Sequence, residues 1–251
     1  MLDKELNPLQ LPILQEIWHS SLNWTASQKA IAQFERLYQM VIEKNQQMNL
    51  TKITQPVEFW EKHLWDSLSG VLNQNLTHFM DQKIKAIDIG TGAGFPGVPL
   101  SIVLPNWQIT LLDSTHKKVN FLAQVKEQLN LPNIQPLTAR AETIAKDRRH
   151  RDSYDLALIR AVSQASVCAE YTLPLLKKDG IAVLYRGLWS NQDTEKLSSM
   201  LPALGGSLES VHSFITPISQ SIRHCIYIRK TSTTSNWQYP RPVDISAQRP
   251  L

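Results

Sequence analysis

The segment Ile87-Asp88-Ile89-Gly90-Thr91-Gly92-Ala93-Gly94-Phe95-Pro96-Gly97 decides the fold of this chain. An apolar strand that runs into a series of glycines is typical of an α/β sheet that brings bare backbone against a nucleotide. Glycine accepts a positive φ and carries no Cβ, so amides of the turn and the next helix N-terminus can approach a ligand closely. The segment therefore predicts a site for a cofactor that contains a nucleoside.

Two classes of cofactor fit this turn. The spacing of Gly92, Gly94 and Gly97 matches the G-x-G-x-x-G of dinucleotide-binding domains, whereas the segment counted from Asp88 is the D-x-G-x-G-x-G turn of S-adenosylmethionine enzymes. Dinucleotide fingerprints tend to have an apolar residue at the first position. An acid there can hold the amides of the loop or the amino group of a methionine moiety, so Asp88 favours S-adenosylmethionine over a dinucleotide.

Composition sets the broad class. The chain has 251 residues, 42% of them hydrophobic, which suffices for one well-buried α/β domain with an appendage. Its net charge of +4 suits a polyanionic partner. Basic residues gather at 146–151 and between Arg223 and Arg249, where they favour contact with nucleic acid and a solvated surface equally.

Cysteine usage and hydropathy exclude other classes. Cys168 and Cys225 are too few for a disulfide framework or a zinc cluster, and we expect both to be core thiols. No apolar run reaches the roughly 18 residues that a bilayer span requires. We therefore expect a cytoplasmic, soluble protein that does not contact a membrane, and we expect it to be a monomer.

The first 80 residues predict a helical cap. Ser27 is a plausible N-cap for an amphipathic helix that ends near Met48, and a second helix is expected from about Pro56 to Leu72. Residues 81–230 are expected to form the nucleotide-binding domain, and residues 231–251 an extended basic tail. The role of the first 26 residues, which include Trp18 and Trp24, is not apparent from the sequence.

After the glycine turn, short apolar strands alternate with helices. Strands are expected at 107–112, 134–137, 154–159 and 181–185, and helices near 117–129 and 164–176. This alternation predicts a parallel, doubly wound sheet. The last two runs, at 208–215 and 224–228, are too close for a helical crossover and should pair antiparallel. The pattern predicts an α/β class I methyltransferase fold: seven strands, mostly parallel, with an antiparallel last strand.

Several polar residues follow the strands at the edge where a ligand would bind. Asp113 ends the second strand, 23 positions after Gly90, at the separation where an acid reaches the ribose hydroxyls of an adenosine. The alternative is a helix cap shared with Ser114 and Thr115. Glu142 follows the third strand, where a group can contact an adenine ring, although a surface glutamate that begins a helix is as common there.

Arg160 directly follows the apolar fourth strand, which calls for an explanation. It is expected either to form an ion pair with Asp88 or Asp155, or to orient a donor carboxylate or an RNA phosphate. His63 and Asp66 are three positions apart on the second cap helix, so a fold-stabilising hydrogen bond between them is expected. The spacing of the seven histidines gives no support to a metal site.

Missing motifs narrow the reaction. Methylation of an exocyclic amine typically uses Asn or Asp followed by Pro-Pro-aromatic after the fourth strand, and that segment is missing. Methylation of pyrimidine C5 needs a cysteine nucleophile, and neither cysteine is suitably placed. An acceptor with a free lone pair remains, such as guanine N7, for which catalysis rests on proximity, alignment and electrostatics.

Read together, several segments resemble the bacterial small-subunit ribosomal RNA guanine-N7 methyltransferases, the RsmG or GidB family. The resemblance covers the chain from about Ser27 to its end. Besides the glycine turn, it depends on these blocks in the family's order: Asn49-Leu50-Thr51, His63-Leu64-Trp65-Asp66-Ser67, Leu111-Leu112-Asp113-Ser114 with Lys117-Lys118 and Phe121-Leu122, Arg140-Ala141-Glu142, Arg160-Ala161, and Tyr239-Pro240-Arg241.

The resemblance implies a guanine in the 530 loop of 16S ribosomal RNA as the methyl acceptor. It implies an S-adenosylmethionine pocket lined by Gly90, Phe95, Asp113, Ser114, Thr115, Ala141, Glu142 and Arg160, to which the turn adds Asp88, Gly92 and Gly94. Candidate positioning residues are Arg160, Arg186 and His63. The family often has lysine where this chain has Arg186, which keeps the charge but changes its shape.

The sequence thus predicts a methyltransferase that acts on 16S ribosomal RNA or the small ribosomal subunit, with S-adenosylmethionine as methyl donor and no metal. Two other functions stay open. One is a nicotinamide-dependent oxidoreductase that uses Gly92, Gly94 and Gly97. The other is a ribosome-assembly protein that binds RNA without catalysis.

Overall fold

The described part of the chain alternates strands with helices. The structure, a computed structural model, describes residues 10–72, 76, 79–234 and 238–242. Its strands are β1 (Lys85–Ile89), β2 (Gln108–Asp113), β3 (Ile134–Thr138), β4 (Tyr154–Arg160), β5 (Leu176–Arg186), β6 (Gly206–Ile215) and β7 (Ile222–Lys230). Its α-helices are α1 (Gln15–Leu22), α2 (Gln28–Asn45), α3 (Pro56–Phe59), α4 (Asp66–Leu72), α5 (Gly97–Val103), α6 (His116–Gln128), α7 (Ala141–Ile144), α8 (Ala165–Thr172) and α9 (Asn191–Met200).

The seven strands form one sheet in the order β3-β2-β1-β4-β5-β7-β6. Strands β1 to β5 are parallel, and β7 is antiparallel to both β5 and β6. The predicted doubly wound sheet with an antiparallel last strand is confirmed. Because parallel strands end at the same edge, the residues after β1, β2, β4 and β5 are brought together there.

The sheet is buried on both faces. In β1, Ala86 belongs to a cluster shared with the cap helices, α5 and α6, whereas its neighbour Ile87 belongs to a cluster shared with α7, α8 and α9. Successive strand residues point to opposite faces, so a strand covered on both sides reads as a continuous apolar run. Cys168 and Cys225 are both buried, as expected.

The cap begins as predicted and differs in detail. Ser27 Oγ accepts a hydrogen bond from the Ala30 amide at 3.2 Å, which fixes the start of α2. The helix ends at Asn45 and not near Met48. The Asn45 side chain explains this difference, because its Oδ1 accepts the amides of Leu50 and Thr51 at 2.8 and 3.0 Å and so competes with the helix for those groups.

The second cap helix is not the uniform helix expected between Pro56 and Leu72. Residues Trp60–Trp65, between α3 and α4, are a π-helical segment. The amide of Asp66 donates to the carbonyl of Glu61, five residues back, and not to that of Lys62. The Lys62 carbonyl is therefore available to a partner outside the helix.

The N-terminal tryptophans have a structural role in the cap. Trp18 is buried, and its ring lies 4.4 Å from that of Trp60 and 5.4 Å from that of Trp24. This aromatic cluster fixes α1 on the π-helical segment.

Helix α8 ends earlier than predicted. It was expected to continue to Leu176, but it stops at Thr172, and Leu173–Leu175 form a 3-10 turn before β5 begins. Pro174 lacks the amide that an α-helix would need there.

Part of the predicted tail packs on the domain. Tyr239 joins the cluster under α8, and Arg241 contacts the buried carboxylate of Glu170 at 2.8 Å. Arg249, which the sequence places in the same tail, lies outside the described residues.

Candidate active site

The turn between β1 and α5 has the backbone that its glycines permit. Gly92 has a φ of 60°, a conformation that L side chains rarely adopt. A Cβ built on Gly92 would meet nothing closer than the Gly90 carbonyl at 3.9 Å, so the space beside it is open. A Cβ on Gly94 would instead lie 2.6 Å from Val98, because this residue packs against α5. Gly92 is therefore the residue where a ligand can approach the backbone.

Asp88 holds the turn together. Its Oδ2 accepts the Thr91 hydroxyl at 2.6 Å and the Gly97 amide at 2.8 Å. The side chain is fully buried, and burial raises its pKa to about 6, against the opposing effect of these hydrogen bonds. Among the described residues, Oδ1 has no hydrogen-bond partner. Of the two roles expected for this acid, the contacts support that of holding the loop.

Asp113 joins the glycine turn to the next helix. One carboxylate oxygen accepts the Gly92 amide at 3.1 Å, and the other accepts the Thr115 amide at 2.8 Å. The side chain is 8% exposed, and the Lys118 ammonium lies 3.9 Å away. Each carboxylate oxygen can accept a further hydrogen bond, so the capping interaction leaves Asp113 able to bind a ligand.

Asp113 lines a narrow cleft of about 130 Å³ at the sheet edge. Five of the predicted cofactor residues line it: Gly90, Asp113, Ser114, Ala141 and Glu142, together with Ile89, Leu112, Ala139, Arg140, Val162 and Tyr171. Glu142 forms an ion pair with Arg140. The lining combines glycine backbone, apolar walls and two carboxylates, of which that of Glu142 is paired with Arg140. It fits a nucleoside better than a metal ion, which prefers several free charged ligands. Asp88 lies beneath the turn, and Phe95 and Arg160 belong to a neighbouring cluster.

Arg160 is bound to the cap. Its Nη1 donates to the Lys62 carbonyl at 2.7 Å and to Asp66 Oδ2 at 2.9 Å. The sequence predicted an ion pair of Arg160 with Asp88 or Asp155, and that partner is wrong. Arg160 pairs with Asp66, and Asp155 pairs with Lys177 at 2.6 Å. The π-helical segment explains the choice, because it frees the Lys62 carbonyl and turns Asp66 toward the sheet.

His63 completes this cluster. Its Nδ1 lies 3.2 Å from Arg160 Nη2, and its Nε2 lies 2.8 Å from Thr51 Oγ1. Because a guanidinium only donates, Nδ1 must accept, so the ring proton is on Nε2 and points to Thr51. His63 and Asp66 thus both contact Arg160, and the hydrogen bond expected between the two does not form among the described contacts.

The imidazole is neutral at physiological pH. Burial lowers the pKa of His63 well below its ordinary value, and the positive charge of Arg160 lowers it further. Its ring stacks on Phe95, whose ring centroid is 4.3 Å away. The cap therefore fixes the position of Phe95, at the end of the glycine turn, through this stacking contact.

Arg186 follows β5 at the same edge. Its Nη1 donates to the Ser163 carbonyl at 2.6 Å, and its Nη2 lies 3.1 Å from Cys168 Sγ. Its Nε is buried and has no partner among the described residues. These contacts fix the guanidinium against the loop that follows β4, and Arg186 does not line the cleft of Asp113.

Much of the predicted basic surface is used inside the fold. Arg151 is buried and donates to the carbonyls of Ala145, Thr234 and Tyr239. Lys230 is fully buried and donates to the Leu173 carbonyl at 2.8 Å. Of the run 146–151, the side chains of Lys146, Arg148 and Arg149 remain exposed.

A larger cavity of about 610 Å³ lies under the N-terminal segment, between Leu11, Trp18 and Phe34, and shares no lining residue with the cleft of Asp113. No group of three metal-ligating side chains is arranged around a common point within the described ranges. In the same ranges, no helix is long and apolar enough to cross a bilayer.

Strand order, the glycine turn and the acid after β2 define a class I methyltransferase fold with a cleft at the ends of its strands. The fold is similar to that of a putative sarcosine dimethylglycine methyltransferase from Galdieria sulphuraria, with a TM-score of 0.52 and 12% identity over 68% of this chain and 87% of that one.

The profile described as GidB, rRNA small subunit methyltransferase G, matches residues 30–225, and the chain belongs to this family. A ribosomal RNA small subunit methyltransferase G from Nostoc punctiforme is 52% identical over 96% of this chain and 98% of its own length. One from Trichormus variabilis is 50% identical over the same shares. The family resemblance found in the sequence is confirmed.

Sequence reasoning missed three contacts of the site. It did not pair Arg160 with the Lys62 carbonyl, it gave Thr51 no role, and it did not place Phe95 against His63. A signal existed for the second, since the Asn49-Leu50-Thr51 and His63-to-Ser67 blocks are both family motifs of the cap. Contact between such motifs is a reasonable expectation.

Proposed function

We propose that this protein transfers the methyl group of S-adenosylmethionine to N7 of a guanine in the 530 loop of 16S ribosomal RNA. The observation that carries the proposal is that the Gly92 amide, in the open part of the glycine turn, donates to the carboxylate of Asp113, which lines the cleft. Membership of the GidB family supports the reaction class. The proposed reaction needs no metal.

The cleft residues have separate roles in holding the donor. The free lone pairs of Asp113 accept the ribose hydroxyls, and the apolar walls at Leu112 and Ala141 contain the base. Glu142 lies where it can accept a hydrogen bond from the exocyclic amine of adenine. The bound donor supplies an electrophilic methyl on a sulfonium. Arg160 and His63 act through Phe95, whose position they fix beside the turn.

The chemistry of the acceptor explains why no general base is needed. Guanine N7 attacks with an in-plane lone pair, a carbon–nitrogen bond forms as the carbon–sulfur bond breaks, and the positive charge passes from sulfur to the purine. N7 carries no proton to remove. His63, the ionisable side chain beside Arg160, has both ring nitrogens in hydrogen bonds and so is not a free base. Catalysis then depends on alignment of the two reactants.

We place the substrate on the same sheet edge. The partner is 16S ribosomal RNA or the small subunit, and the protein acts in the cytoplasm as a monomer. Exposed cations away from this edge, such as Arg148 before β4, contact other phosphates of the same RNA. In this proposal residues 1–80 are a cap that shapes the substrate surface, residues 81–230 bind the donor, and residues 231–251 add a basic tail.

Methylation of unmethylated small subunits with labelled donor tests the proposal. Asp113→Ala should abolish label transfer and donor binding but keep affinity for RNA, because in this proposal the carboxylate contacts the donor and not the RNA. Asp179→Asn is the control, since Asp179 lies at the opposite end of β5 with a φ of 68° that asparagine accepts. Label at N7 of one guanine of the 530 loop is the expected product.

Two outcomes would reject the proposal. Calorimetry that finds NADH binding without S-adenosylmethionine binding would favour an oxidoreductase. A wild-type protein that binds donor and RNA but transfers no label would favour an assembly factor without catalysis.

A further inference from the structure

A second cleft opens at the sheet edge beyond β5. It encloses about 530 Å³ and is lined by the side chains of Arg186, Leu188, Trp189 and Lys196. Leu188 is 86% exposed and adds apolar surface to this cleft. None of these residues lines the cleft of Asp113.

The two clefts share one wall. Val162 lines the first cleft, and Gln164, two residues later, lines the second. Arg186 donates to the Ser163 carbonyl between them at 2.6 Å. Ala161 begins this loop with a φ of 55°, a conformation that an alanine adopts only where its surroundings hold it. A molecule in the second cleft would therefore lie beside the methyl donor, across one fixed loop.

The second cleft combines an aromatic surface with positive charge. Trp189 packs partly against the core, and its Nε1 donates to Thr194 Oγ1 at 2.8 Å, so the indole is held in place before any ligand arrives. Lys196 and Arg186 take part in no ion pair among the described residues. Asp193 also lines this cleft, and its carboxylate is occupied, because it accepts both the amide and the hydroxyl of Ser190.

We propose that this cleft binds an unpaired nucleotide of the RNA substrate next to the methylated guanosine. Its base stacks on Trp189, and its phosphate pairs with Lys196. The positive charge of Arg186, whose guanidinium is held by Ser163 and Cys168, adds to the attraction. Stacking on an aromatic side chain and pairing of phosphate with cations are how proteins hold single-stranded RNA. The inference rests on the proposed function, because the neighbouring nucleotide matters only if the first cleft presents a methyl group.

Steady-state methylation of unmethylated small subunits tests the cleft. Trp189→Ala should raise the KM for subunits about tenfold, the effect of one lost base stack, while kcat and the Kd for S-adenosylmethionine stay unchanged. Trp189→Phe should restore most of the affinity. Lys196→Glu should raise the same KM, and the effect should shrink as salt rises. Lys178→Glu is the matched control, an exposed lysine at the opposite end of β5.

Several results would overturn the inference. One is an unchanged KM for subunits in both Trp189→Ala and Lys196→Glu. A second is a rise in KM in Lys178→Glu equal to that in Lys196→Glu. A third is a rise in KM in Trp189→Ala that accompanies a lower Tm and that Trp189→Phe does not reverse. Lys196 is exposed, so its variant tests the cleft even if Trp189→Ala unfolds. If the wild-type protein transfers no methyl group, the proposed function fails by itself. Filter binding of the same variants to 16S ribosomal RNA then decides the cleft separately.

Discussion

His63 lies flat on Phe95, with their ring centroids 4.3 Å apart and their planes inclined by 3°. One ring belongs to the π-helical segment of the cap and the other to the glycine turn. The Arg160 guanidinium lies 5.7 Å from the centroid of the Phe95 ring and also binds His63. The cap, the glycine turn and β4 therefore meet in one cluster. A substitution in any of them should alter the geometry of the donor cleft.

The first prediction concerns the protonation of His63. Burial and Arg160 lower the pKa of the folded imidazole well below its ordinary value of 6.5. Below pH 6.5 the unfolded chain therefore binds a proton that the folded chain does not, so stability falls as pH drops through this window. His63→Gln removes this dependence. Urea denaturation of both proteins between about pH 7.5 and 5 measures the difference in slope.

The comparison with the variant is needed because Asp88 acts in the opposite sense. Its folded pKa of about 6 lies above its ordinary value of 3.8, so ionisation of Asp88 weakens the fold as pH rises between these values. Both proteins share that contribution, and subtraction cancels it. Equal slopes in the two proteins, or an NMR spectrum with a protonated His63 at pH 6.5, would contradict the prediction.

The second prediction concerns the pair of Arg160 and Asp66. Arg160→Lys keeps the charge, but a single ammonium cannot reach the Lys62 carbonyl, Asp66 and His63 together. We expect it to lower stability by about 1–3 kcal/mol, since it breaks hydrogen bonds to a charged group that is mostly buried. We also expect a lower kcat, because Phe95 loses its support.

A double-mutant cycle with Asp66→Asn separates pairing from general damage. The double variant should lose less than the sum of the two single variants, by about 1 kcal/mol or more, because the residues share one interaction. Lys177→Ala and Asp155→Asn form the control cycle, since that pair lies on the surface. Additive losses at Arg160 and Asp66 would mean that the pair does not position the cluster.

The strands, the glycine turn and the acid after β2 could be predicted because each depends on a local pattern. Apolar runs mark strands buried on both faces, and the ends of parallel strands must share an edge. The proximity of Gly92 and Asp113 follows from these two facts alone. Likewise, the short segment between β6 and β7 leaves no room for a crossover, which forces the antiparallel pairing.

The partner of Arg160 could not be predicted in this way. Asp88 was a reasonable expectation because it lies opposite Leu158 on the neighbouring strand β1, whereas Asp155 lies at the opposite end of β4. The actual partner, Asp66, reaches Arg160 because a π-helical segment precedes it. Such a segment adds one residue to a helical turn, which the apolar periodicity of the sequence does not reveal. The pair of Glu170 and Arg241 is separated by 71 residues, so only tertiary packing reveals it.

The third prediction is that, within the basic run 146–151, exposed arginines contact RNA and buried ones stabilise the fold. Arg148 is exposed, and Arg148→Ala should reduce the slope of log K against log salt for RNA binding by about 0.7–0.9, the value for one lost phosphate contact. Arg151 is buried among backbone carbonyls, so Arg151→Ala should lower the Tm and leave the slope unchanged. Filter binding at several salt concentrations measures the slopes. A reduced slope for Arg151→Ala alone would reverse the assignment.

The last prediction concerns the attachment of the C-terminal segment. Arg241 donates from its amide, Nε and Nη2 to the carboxylate of Glu170, which is fully buried. Arg241→Ala leaves that charge without its cation and should lower the free energy of unfolding by about 3–5 kcal/mol. Lys177→Ala, which breaks a surface pair, should cost about 1 kcal/mol or less.

Removal of both charges gives the sharper test. Glu170→Leu combined with Arg241→Leu should be more stable than Arg241→Ala, because no unpaired charge stays in the core. Chemical denaturation of the three variants and the wild-type protein provides the comparison. If Arg241→Ala costs no more than Lys177→Ala, residues 238–242 are not held on the domain by this ion pair.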